Sequence, residues 1–140
     1  MKNSKRLLFA VLMGLLMVAA AMGDEKAGQS GKPGPTTISQ SRFPVTLQAG
    51  EYDLQTTILE FPQGAGIPKH MHGGHVIATV LQGEMTLTEK GSERIIRTGE
   101  SWTENPGDLH SVVNAGTTAA RVVVNMLLPK GAEATTVIKQ

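Results

Sequence analysis

No cysteine occurs in the 140 residues. That excludes a disulfide framework, a thiolate metal site, a thiol nucleophile and a cysteine available for lipid attachment. An amphipathic helix of useful length is also missing, which argues against helical bundles and coiled coils. The chain is too short for a multi-domain enzyme and lacks the repeat of collagen. Long hydrophobic runs are absent too, apart from residues 7–22, interrupted only by Gly14.

That run has three positive charges before it, Lys2, Lys5 and Arg6, and ends in small residues before Asp24 and Glu25. It is shorter than the roughly 20 residues that span a bilayer. Residues 1–23 therefore read as a removable export signal rather than a retained anchor, cut after Ala21 or Gly23. The mature protein is expected to be periplasmic or secreted, with no stable membrane anchor after cleavage. Losing the three cations takes the net charge from +1 to −2. A nucleic-acid partner then has no electrostatic footing. Residues 24–37 are rich in Gly and Pro and poor in apolar side chains, so they cannot offset their ordering entropy and read as a flexible leader. The folded domain is expected over residues 38–140.

What the domain does contain is short apolar stretches between turns. Residues 43–48, 52–61, 75–82, 84–89, 94–97, 101–104, 108–114, 121–128 and 135–139 have strand-like density, and Gly, Pro and Asn clusters separate them. Residues 86–88 alternate as a strand with one wet face should. Residues 121–128 are almost continuously apolar and suit a strand covered on both sides. The fold class predicted is all-β.

Four histidines are present, and His70, His72 and His75 fall within six residues while His110 follows a Pro-Gly turn further on. Residues two apart share a strand face, so His70 and His72 aim the same way, and His110 is expected to meet them from across a barrel. Neutral imidazoles bind one divalent transition metal, Fe, Zn, Mn, Ni or Cu, and three protein ligands leave open positions for other molecules. Surface histidines gathered in a loop are the alternative. Trp102 and Phe61 either fill the core or line the pocket. Glu60, Glu84 and Glu104 are potential bases, although solvated strand carboxylates are commoner.

The spacing Gly64, five residues, His70, one residue, His72, then Gly83 resembles the first motif of the cupin superfamily. Gly99, then Pro106, Gly107, His110 and Asn114 are similar to its second motif. The resemblance implies a double-stranded β-helix, or jelly-roll barrel, with a metal at its centre, and a homodimer. Two departures stand out. Val76 takes the slot where the family usually has a metal-binding glutamate, and Asn105 stands where the second motif usually has proline. What is left is a three-histidine set, His70, His72 and His110, as in the thiol dioxygenases. His75 adjoins the vacant slot and faces away by strand parity. A bulge at Gly73-Gly74 would make it a further metal ligand; otherwise it is a pocket or solvated histidine. Asn114 is expected to hold turn geometry.

These features lead to two functional expectations. In one, the protein is a metal-dependent, dioxygenase-like oxidoreductase acting on a small organic substrate. A three-histidine site adds no charge to the metal, so an anionic substrate is favoured. In the other, it is a non-catalytic cupin that binds or senses a metal or small ligand. An isomerase and a metal-free barrel are weaker readings, and no catalytic residue is identifiable. The homodimer is expected to form through an outer strand at residues 43–48, with Phe43, Val45 and Leu47 presenting an apolar face.

Overall fold

The computed structural model describes residues 34–139. The expected export signal and most of the expected leader lie outside them. Nine antiparallel strands are present among the described residues: β1 (Tyr52–Phe61), β2 (Gly66–Met71), β3 (His75–Gln82), β4 (Glu84–Glu89), β5 (Ser92–Arg97), β6 (Ser101–Glu104), β7 (His110–Val113), β8 (Ala120–Pro129) and β9 (Thr136–Val137). No helix occurs among those residues. The strands form two sheets, ordered β1-β8-β3-β6 and β5-β4-β7-β2-β9. Together they make the expected all-β barrel.

Local chemistry explains the connections. Lys90 and Gly91 form the two-residue link from β4 to β5, and both have positive φ, 50° and 77°. This is the mirror-image turn whose twist matches a hairpin. Gly83, at φ 75°, carries the chain from β3 in one sheet to β4 in the other. Between the sheets lies a core that includes Val76, Val80, Met85, Leu87 and Val122, each at most 1% exposed.

Three expectations change. Residues 43–48 join no ladder among the described residues. Pro44 offers no N–H to a neighbour, and isolated bonds hold the segment instead, such as the Tyr52 hydroxyl donating to Gln48 O at 2.8 Å. Residues 66–71 form a strand that the Gly-Ala-Gly and Pro signals hid. The continuous apolar run of β8 also alternates: Val122, Val124, Met126 and Leu128 are buried, while Val123 and Leu127 are half-buried on the outer face.

Candidate metal centre

β2 begins opposite β7 with Gly66 facing Val113, and its register shifts between Ile67 and His70. Pro68 and Lys69 sit in that irregularity, both exposed, and the ladder resumes with His70 directly facing His110. A bulge of this kind re-aims the side chain that follows it. His70 and His72 then share the inner face, 2% and 6% exposed, and His110 is 3% exposed. His110 thus reaches the pair from the adjacent strand of the same sheet, not from across the barrel as its distance in sequence suggested. Ring centroids are 4.0 Å apart for His70 and His110, 5.0 Å for His70 and His72, and 5.2 Å for His72 and His110.

Each ring is anchored by a backbone carbonyl. Nδ1 donates to Pro68 O in His70 at 2.8 Å, to Ala134 O in His72 at 2.8 Å, and to Asp108 O in His110 at 3.1 Å. A carbonyl only accepts, so the proton is on Nδ1 and the neutral ring keeps its Nε2 lone pair free. This is how metal-ligating histidines are usually oriented. One ring nitrogen from each lies within 4.8 Å of the others. Nε2 of His110 is buried and has no aligned hydrogen bond, which suits a ligand atom directed at a cation. The donor set and this orphaned atom fit a divalent metal on His70, His72 and His110.

The facing sheet contributes a residue that the sequence left among the solvated carboxylates. Glu104, on β6, is 3% exposed. Its Oε1 is 2.9 Å from His110 Nε2 and its Oε2 is 3.1 Å from His72 Nε2. The Trp102 indole N–H donates to Oε1 at 2.6 Å, so Trp102 both packs and positions. Burial alone raises the Glu104 pKa, but His110, His72 and Trp102 outweigh it and hold the carboxyl at about 2. Burial lowers the His70 pKa, and the neighbouring imidazoles add to that. At His110 burial also acts downward, and the Glu104 carboxylate overrides it, raising the pKa.

His75 lies elsewhere. It is on the outer face of β3, opposite Leu127 on β8, and its Nε2 donates to Thr46 O at 3.3 Å. Gly73 and Gly74 precede β3 without turning the imidazole inward, so His75 is outside the three-histidine group. Glu60 and Glu84 pair with Arg121 and Arg97 at the surface. Around the buried group is a cavity of about 70 Å³ lined mainly by apolar side chains, among them Phe61, Met85, Trp102 and Val112.

Residues 57–126, half of the chain, match the family model described as a cupin domain. No curated protein matches the chain. Among solved structures it is similar to an oxalate oxidase in complex with the substrate analogue glycolate, at 24% identity over 61% of this chain and 46% of that one, with a TM-score of 0.54. It is similar to a predicted oxalate decarboxylase from Thermotoga maritima, at 26% identity over 52% and 64% of the two chains, with a TM-score of 0.50. A Klebsiella pneumoniae protein with a double-stranded β-helix domain is 22% identical over 76% and 90%, with a TM-score of 0.54. The chain therefore spans less than half of the oxalate oxidase.

Proposed function

The chain belongs to the cupin family, and from that premise we propose that it is an exported, metal-dependent oxidoreductase, dioxygenase-like, acting on a small organic acid or similarly small substrate. The observation that carries this reading is the three buried imidazoles, each with Nδ1 tied to a carbonyl, facing an apolar cavity. A bound divalent transition metal would supply Lewis-acid or one-electron chemistry and open positions for substrate and dioxygen. The chain's own part is to fix the rings, exclude bulk water and limit size. At about 70 Å³ the cavity is small. That favours dioxygen and molecules of a few heavy atoms, a range that includes the two-carbon acids named with the similar structures.

A second reading, a non-catalytic metal or ligand binder, is favoured by Glu104: the carboxylate in the cavity is already engaged by Trp102 and two histidines, which leaves no free general base there. Oxygen uptake separates the two. Protein loaded anaerobically with Fe(II) and offered small carboxylic acids, phenols, diketones and thiols is expected to consume oxygen with at least one class, well above free Fe(II). Bound iron without uptake on any of them would move the binding reading ahead.

Export and self-association complete the proposal. Leu54 and Ile58, 74% and 65% exposed, lie on the same outer sheet face as Ile77 and Leu81. A patch of this kind on a barrel suits a second copy of the chain. Protein recovered from the periplasm or medium is expected to begin at Met22 or Asp24 by intact mass and to scatter light as a dimer at micromolar concentration. An intact N-terminus on membrane-bound protein would contradict export; a monomeric mass would contradict the dimer.

A further inference from the structure

The first motif lacks its carboxylate, yet the barrel interior holds one. Val76, in the slot where the family usually carries glutamate, is the direct antiparallel partner of Glu104 in the β3–β6 ladder. Directly opposed residues present their side chains to the same face about 5 Å apart. A carboxylate at 104 therefore enters the same space that one at 76 would have reached. Both residues are buried, Val76 at 1% and Glu104 at 3%. We infer that Glu104 supplies the anionic arm of the metal centre, as a ligand alongside His70, His72 and His110, its carboxylate having crossed from one strand to the next.

The inference rests on the metal-binding reading and adds to it the fourth ligand. A buried carboxylate is costly unless something positive neutralises it. Among the described residues no Lys or Arg pairs with Glu104; its partners are the two imidazoles and the Trp102 N–H. The imidazole protons are committed to carbonyls on the Nδ1 side. The Nε2 lone pairs of His72 and His110 thus confront carboxylate oxygens at 3.1 and 2.9 Å. Two acceptors so close repel unless a cation lies between them. A single metal ion placed between the rings and the carboxylate relieves both contacts at once. Ligands about 2.1 Å from a metal and at right angles to each other lie about 3.0 Å apart, which is the separation found. Trp102 keeps one carboxylate oxygen turned toward the histidines and is a positioning residue.

The test moves the carboxylate back. Zn²⁺ and Co²⁺ affinities, by chelator competition, are measured for the parent, Glu104→Gln, and Glu104→Gln combined with Val76→Glu. The Co²⁺ absorption spectrum is recorded for each. Glu104→Gln is expected to weaken both metals by about tenfold or more and to change the Co²⁺ spectrum, and the paired variant is expected to recover most of the affinity. An unchanged affinity and spectrum in Glu104→Gln would overturn the inference. So would a loss that the relocated carboxylate does not restore in a protein whose metal-free Tm stays near that of the parent. Should either variant fail to fold, a crystal structure of the Zn²⁺-loaded parent decides: a Glu104 oxygen about 2.0–2.2 Å from zinc is expected, and one beyond bonding distance would refute the assignment. A parent that binds neither metal would overturn the metal-binding reading itself, and this inference with it.

Discussion

Replacing His70, His72 or His110 with Ala is expected to lower divalent-metal affinity by more than the roughly 10- to 100-fold that loss of an outer partner costs. Each of these rings is nearly fully buried, anchored through Nδ1 to a carbonyl and within ligand distance of the other two. Truncation removes a coordinate bond and also leaves a backbone carbonyl without its imidazole donor. Glu60→Ala and Glu84→Ala are expected to change affinity by about twofold at most, because those side chains are half exposed and pair with surface arginines. His75→Ala belongs with these controls, since its ring lies on the opposite face of β3 and contacts Thr46. Chelator competition with Zn²⁺ gives the affinities directly. Undiminished binding in His110→Ala would show that the two histidine motifs do not share a site, and a large loss in His75→Ala would place that ring at the metal after all.

Strand parity made much of this centre legible. His70 and His72 had to share a face, and the chain-order spacing of Gly64, Gly83, Gly99 and Gly107 pointed to the turns around them. Gly64 and Gly107 have φ of 78° and 81°, conformations that side chains with a Cβ rarely adopt. They close the turns that deliver His70 to β2 and His110 to β7. Pairing between distant strands was not legible. Nothing local to β7 says that it lies beside β2, which is why His110 was expected from the far wall of the barrel. Glu104 was hidden for a related reason. Ser-Trp-Thr-Glu offers polar residues on both parities, so the alternation that exposes Ser101 and Thr103 relative to Trp102 and Glu104 cannot be read from four residues alone. The one available signal was the missing glutamate at Val76. It marked a site short of negative charge, but only the β3–β6 register shows which residue stands opposite. With Glu104 as a ligand, as proposed, a divalent metal held by three neutral imidazoles and a carboxylate would carry one net positive charge rather than two. The outer segment at residues 43–48 failed in the other direction. Its Phe, Val and Leu alternate as a strand would, yet side-chain periodicity supplies no hydrogen-bonding partner, and Pro44 removes a donor.

The largest effect on folding is expected at Asn114, which is fully buried and joins the two motifs. Its Nδ2 donates to Phe61 O and to Thr118 O, both at 2.8 Å, and its Oδ1 accepts from Gly116 N at 3.1 Å. Its backbone N donates to Ala65 O, and its carbonyl accepts from Gly64 N, each at 2.8 Å. The end of β7 is thereby latched to the turn that opens β2, the pair of strands on which His110 and His70 face each other. Asn114→Ala leaves the buried Phe61 carbonyl and the part-buried Thr118 carbonyl and Gly116 N–H without their partner, at a cost of about 3 kcal/mol. For a domain of this size that lowers Tm by roughly 4–8 °C for each kcal/mol. Asn114→Asp is expected to be worse at neutral pH even though it is nearly isosteric: it keeps the acceptor for Gly116 but turns a two-proton donor into an anionic oxygen pressed against two carbonyl oxygens. Thermal unfolding of the metal-free proteins should therefore rank the parent above Asn114→Ala and Asn114→Asp lowest. Added Zn²⁺ should still raise the Tm of Asn114→Ala, because the ligands themselves are untouched and binding only to the folded state stabilises it by mass action. If Asp proves as stable as Asn, the side chain acts mainly as an acceptor, and the latch depends on the backbone bonds to Gly64 and Ala65 rather than on the amide.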